Sequence, residues 1–149
     1  MPIVTGIKVV DASALAAILF AEPEAEVIAE RLTGTRLAAP ALLDYELANV
    51  CLIKIRRRPS QREALRAAFR LAHLLKVETV AVDHAAVLDL AEATGLTAYD
   101  ASYLWLARSL GGELVTLDRK LAAASQESER LRPAPVPSLS QVSACQQAI

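Results

Sequence analysis

Aromatic side chains are scarce in this sequence: they make up 4% of its 149 residues, against 54% for hydrophobic residues as a whole. Its core must therefore be built mostly from alanine, leucine and valine, and the first two of these favour helix. Cysteine is rarer still, with Cys51 and Cys145 alone and no C-x-x-C pair or companion histidine spacing. That excludes the usual zinc-site motifs and argues against a disulfide framework. Cys51, between Val50 and Leu52, reads as a small buried hydrophobe. Long apolar runs are missing too. The longest, Ala14 to Ala21, falls far short of the roughly 20 residues that a membrane span needs. No basic stretch precedes an apolar one at the N-terminus, so a signal peptide is not expected. The expected setting is the cytoplasm, without a membrane partner. Nor is there an excess of positive charge. A formal net charge of -1 excludes nucleic-acid binding through bulk charge and leaves only local basic patches.

The length suits one domain with a sizeable core. Residues 7–10, Ile-Lys-Val-Val, form a β-branched run that stops at Asp11. Ser13 is placed to cap a helix through Leu15, Ile18 and Phe20, and Pro23 suits the first turn of a second helix that stops at Gly34. A strand around Leu37–Ala39 leads to Pro40, which opens a long helix reaching Arg57. Ser60 and Glu63 form an S-x-x-E capping box for a helix through about Leu75. Val77–Val82 reads as a strand, Asp83 as the N-cap of the next helix, and Gly95 as its stop. Thr97 and Asp100 start another helix that ends at Gly111-Gly112. Leu114–Leu117 is a strand, and Asp118 opens a short helix. From Arg132 the composition shifts to Pro, Ser and Gln, so residues 1–131 are taken as the domain and 132–149 as a partly ordered tail, with a possible edge strand near Val136. Strands alternating with helices imply βαβ crossovers: a three-layer α/β/α fold with a central parallel sheet.

In such sheets the site forms beyond the carboxyl ends of the strands. Asp11 and Asp118 each follow a strand, although helix capping alone would account for either, as it does for Asp83. Asp100 can cap as the third residue of its box, or point inward from the first turn of an apolar helix. Glu46 lies among Leu42, Leu43, Leu47 and Val50, where a structural residue would be apolar. Carboxylates gathered at one sheet end repel by roughly 4 kcal/mol per pair at about 4 Å and an effective dielectric of about 20. A hard divalent cation removes that cost, and Mg²⁺ or Mn²⁺ suits all-oxygen ligands. Such an ion activates water and polarises a phosphoryl oxygen, which together hydrolyse a phosphodiester.

The segments V-V-D-A-S-A-L, Y-E-L-A-N-V, T-A-Y-D-A-S-Y-L-W-L-A and L-V-T-L-D-R-K-L-A resemble, in order, the four acidic motifs of the PIN-domain family. The similarity runs to about residue 130, and size and layout resemble the VapC-type toxins of toxin–antitoxin pairs. The resemblance implies a PIN-like fold and a metal site formed by Asp11, Glu46, Asp100 and Asp118, with Ser13 and Thr116 supporting it through their hydroxyls. It also implies an endoribonuclease toxin that cuts RNA with metal-activated water, a cognate antitoxin, and a homodimer that joins the antitoxin on promoter DNA.

Basic residues offer a path for RNA. Glu46 and Arg57 share a helix face roughly 16 Å apart, and Lys54, Arg57, Arg119 and Lys120 are the candidate phosphate contacts, although cations also coat solvated faces and helix C-termini. Arg62, Arg66 and Arg70 form a further stripe. His73 and His84 lie near no acidic motif. Tyr99, Tyr103 and Trp105, at helical spacing, are expected in the core rather than stacking on bases. Two other readings stand beside the toxin: a 5′-nuclease-like or RNA-processing enzyme, and a PIN-like module that binds RNA or protein without cutting. A receiver domain would want an acidic neighbour beside Asp11, and none is present.

Overall fold

A computed structural model of the chain describes residues 6–131. The tail, its expected strand near Val136, and Cys145 lie outside the described residues. Among the described residues, four short strands form one sheet in the order β3-β2-β1-β4: β1 Ile7–Val10, β2 Arg36–Ala39, β3 Glu78–Thr79 and β4 Glu113–Val115. Every pairing is parallel, with Val9 opposite Ala38 on one side and Leu114 on the other. Among the described residues, seven helices flank it: α1 Ala12–Leu19, α2 Ala25–Leu32, α3 Leu42–Arg57, α4 Arg62–Arg70, α5 His84–Thr94, α6 Ala98–Leu110 and α7 Arg119–Arg130.

Parallel neighbours need right-handed crossovers. The chain steps from β1 to β2 to β3 in one direction, then returns past β1 to β4, so its helices divide between the two faces. Packing agrees, with α1 against α2 and α3, and α5 against α6 and α6 against α7. This is the three-layer α/β/α fold. The reversal of travel falls between β1 and β4, where two connections leave in opposite directions and open a crevice.

The core has the expected composition. Val9, Val10 and Val115 from the strands and Leu15, Ile28, Leu104, Leu106 and Leu121 from the helices are fully buried. Cys51 is buried as a small hydrophobe, and burial pushes its thiol pKa up, against the nearby Arg66.

Several local expectations change. Asp11, not Ser13, caps α1, its Oδ1 accepting the Ala14 amide at 3.1 Å. Ser60 makes no cap for α4: a 3₁₀ turn over Pro59–Gln61 intervenes, and Glu63 pairs instead with Arg62. The expected long helix ends at Arg70 and continues as a 3₁₀ turn over Leu71–Leu75. The strand expected at Val77–Val82 narrows to Glu78–Thr79, because it is an edge strand paired only with β2. Its valines pack on the core, and Val80 adds one backbone hydrogen bond to the Ala39 carbonyl at 2.9 Å beyond the paired residues.

Gly112 sits where α6 turns into β4. A Cβ there would stand 2.7 Å from the Ile7 carbonyl oxygen, a backbone atom of β1. Gly112→Ala must therefore displace one strand end, a strain of about 1–3 kcal/mol. The urea midpoint should fall with an unchanged slope; an unchanged midpoint would mean that the strand ends yield freely.

Candidate active site

The first strand delivers Asp11 into the crevice. The residue is buried, at 6% exposure, and three donors hold its carboxylate. Ser13 Oγ (2.7 Å) and the Ala14 amide donate to Oδ1, and Thr116 Oγ1 donates to Oδ2 at 2.5 Å. Those hydroxyls also accept: Ser13 Oγ takes the Leu117 amide at 2.9 Å, and Thr116 Oγ1 the Asp118 amide at 3.0 Å. Ser13 and Thr116 thus stitch the end of β1 to the turn after β4, fixing where Asp118 stands relative to Asp11. Asp118 is exposed and caps α7 through the Leu121 amide at 2.8 Å. Capping and a place in the crevice prove compatible, since the cap uses Oδ1 alone.

Asp100 reaches the same crevice from the first turn of α6, where Thr97 Oγ1 accepts its amide at 3.1 Å. Glu46 comes from the second turn of α3, half-buried, its Oε1 accepting from Tyr103 Oη at 2.8 Å. All four acids line one cleft of about 250 Å³, together with Ala12, Ser13, Asn49 and Val50. Residues from four distant segments meet there.

The electrostatics are those of an uncompensated acidic site. Burial, more than anything else, lifts the Asp11 pKa; its three hydrogen bonds oppose that and Asp100 adds to it. Burial also lifts Glu46, against the Tyr103 bond and with help from Asp11 and Asp100. Asp100 is raised by burial and then by Asp118, with Thr97 and Lys120 working the other way. The Tyr103 phenol, buried beside Glu46, has its pKa raised far beyond its ordinary value and stays protonated. Among the described residues, the ion pairs use Glu22, Glu63, Glu78 and Glu113, and none of the four cleft acids.

The donor set is all oxygen and suits a hard divalent cation. Among the described residues, however, no three His, Cys, Asp or Glu side chains already form a ligand shell. Asp11, Glu46 and Asp118 each accept a hydrogen bond from a neighbour within the chain.

Tyr103 was expected only in the core. It is buried, yet its hydroxyl serves Glu46, and the signal was its position three residues after Asp100 on one face of α6. Asn49, three residues after Glu46, was likewise overlooked. Tyr99 corrects the core expectation: it is 68% exposed and borders an apolar hollow of about 600 Å³ with Val80, Val82 and Leu88. Trp105 is partly buried.

The basic candidates lie outside the acidic cleft. Arg57 and Lys54 border a second hollow of about 360 Å³ with Phe20, Glu22 and Arg58. Lys54 is already committed, 2.6 Å from Glu22 and over the Phe20 ring at 5.4 Å. Arg119 is exposed, and Lys120 Nζ donates to the Gly95 carbonyl at 2.7 Å.

An α/β/α sandwich with four acids at its switch point defines a class, and comparison identifies it. The PIN domain model matches residues 8–127. Ribonuclease VapC3 of Pyrobaculum aerophilum is 40% identical over 121 residues, covering 76% of this chain and 91% of that protein. Ribonuclease VapC9 of Mycobacterium tuberculosis is 37% identical over 123 residues, covering 79% and 91%. The crystal structure of PAE2754 from Pyrobaculum aerophilum superposes with a TM-score of 0.67 at 29% identity, covering 81% of this chain and 86% of that one. The chain belongs to the PIN-domain family, among its members of VapC type.

Proposed function

We propose that this cleft is the active centre of a metal-dependent endoribonuclease, the toxin of a toxin–antitoxin pair. The observation that carries the reading is the gathering of Asp11, Glu46, Asp100 and Asp118 in one cleft whose lining holds no lysine or arginine. The relatives named ribonucleases supply the substrate class. In this reading the four carboxylates hold Mg²⁺ or Mn²⁺. The chemistry such an ion supplies when bound is polarisation of the phosphoryl group and acidification of water. The chain's own residues do the rest. Ser13 and Thr116 fix the carboxylate of Asp11, Tyr103 aims Glu46, and α7 fixes Asp118. The partners are RNA, a cognate antitoxin and a second copy of the chain, in the cytoplasm. Among the described residues no helix is long and apolar enough to cross a membrane.

The purified chain should cut a mixed RNA pool with Mn²⁺ and leave it intact with EDTA. RNA binding indifferent to metal, without cleavage, would favour the binding-module reading instead.

Arg57 and Arg119 are the basic candidates whose guanidinium makes no ion pair among the described residues, and Arg57 lies on the same helix as Glu46. Arg57→Ala should weaken RNA binding evenly across sequences and lower the slope of log affinity against log salt by about one. An unchanged slope removes it from the RNA path.

A further inference from the structure

The acidic cleft is chemically one-sided. Its polar lining is Asp11, Glu46, Asp100, Asp118, Ser13 and Asn49, and an ionised carboxylate can only accept hydrogen bonds. A phosphodiester is an anion rich in acceptors, so it needs donors to replace the water it leaves behind. The Ser13 hydroxyl is used: it donates to Asp11 and accepts from Leu117. No lysine or arginine lines the cleft.

Asn49 is different. It follows Glu46 by three positions on α3, which sets the two on one face of that helix. It is exposed at the cleft wall, and among the described residues its amide has no hydrogen-bond partner. A neutral amide is also the donor best suited to a cation-holding pocket. A lysine there would pair with the acids and compete for their charge, whereas an amide donates without cancelling it.

We propose that Asn49 is an RNA-binding residue of the cleft, its amide nitrogen donating to a non-bridging oxygen of the phosphodiester held there. The assignment rests on the nuclease reading of the cleft. It makes Asn49 the donor that complements four acceptor side chains.

The test combines cleavage kinetics in Mn²⁺ with RNA binding measured on the Asp11→Asn background, which leaves bound RNA uncut. Asn49→Ala should raise KM about 10- to 100-fold, the span of a lost hydrogen bond to a charged group. It should leave kcat and the half-saturating Mn²⁺ concentration near their native values. Asn49→Asp should weaken RNA further while lowering the Mn²⁺ requirement, because it replaces a donor with another anionic acceptor. Asn49→Gln, which keeps the amide, should recover part of the affinity. Unchanged KM and RNA affinity in Asn49→Ala overturn the proposal. So does a rise in Mn²⁺ requirement that parallels the lost activity, since that places Asn49 in the metal site. If the native chain cuts no RNA, yet Asn49→Ala weakens binding on the Asp11→Asn background, the nuclease reading falls and Asn49 stands as an RNA contact.

Discussion

Asp11→Asn should cut RNA at least about a thousandfold more slowly than the native chain while melting no lower when metal-free. The first half follows from the role proposed for the carboxylate. Metal-assisted charge stabilisation at a phosphoryl group supplies several kcal/mol, and each 1.36 kcal/mol is tenfold in rate. The second half follows from the hydrogen bonds around the residue. Asparagine Oδ1 keeps the Ser13 and Ala14 donors. Its nitrogen then faces Thr116 Oγ1, which has a second lone pair beside the one engaged by the Asp118 amide. The Thr116 hydrogen can turn towards Ser13 Oγ, 3.4 Å away. The geometry survives, and the burial that raises the Asp11 pKa no longer falls on an ionised group. Cleavage rates and melting curves on the same preparation check both halves. Native-level cleavage by Asp11→Asn would remove this cleft from the chemistry.

Much of this site was legible because short buried strands announce themselves. Val9-Val10 and Leu114-Val115 are apolar pairs, each followed within a few residues by an acid, and in a parallel sheet that acid is delivered to the working end. Helix stops at Gly95 and Gly111 were legible for a local reason: both take positive φ, +71° and +63°, where glycine has no Cβ to clash. Val77–Val82 misled because alternating valines look alike in a paired strand and in a loop packed over the core. Ser60-x-x-Glu63 misled because a capping box needs its serine at the helix boundary, and a 3₁₀ turn moved that boundary to Arg62. Helical spacing located Tyr99, Tyr103 and Trp105 on one helix without saying which face was covered. That face depends on the contacts of α6 with α5 and β1, which are set by topology. The meeting of four acids spread from Asp11 to Asp118 is also a property of strand order, so the motifs' order came from family resemblance. Tyr103 and Asn49 needed the assembled cleft, because an i, i+3 neighbour of an acid matters only once the acid has a site.

Divalent metal should stabilise the chain by about 2.7 kcal/mol at a hundredfold excess over its dissociation constant, a rise of about 5 to 10 °C in melting temperature for a domain of this size. The gain should be largest near neutral pH. Asp11, Glu46 and Asp100 have raised pKa values in the folded chain, so the native state binds their protons more tightly than the unfolded state does. Their ionisation costs stability at every pH above the raised values. As pH falls through those values the native state takes up protons first, and the metal-free protein becomes more stable until the unfolded chain's carboxylates titrate as well. Glu113 runs the other way: its partial burial raises its pKa, but Arg31 and Lys8 outweigh that and lower it overall. Its contribution, held above the usual carboxylate range, fades as pH drops through its own depressed value. The metal-free protein should therefore be most stable on the acid side of neutrality, and Mn²⁺ should shift that optimum upward, because protons and metal compete for the same oxygens. Glu46→Gln isolates the cause, since glutamine still accepts from Tyr103 Oη while removing one charge. It should raise the metal-free melting temperature at neutral pH and shrink the Mn²⁺ gain. If melting is indifferent to Mn²⁺ from about pH 5 to about pH 7.5, the acids do not share an ion and the proposed chemistry loses its centre.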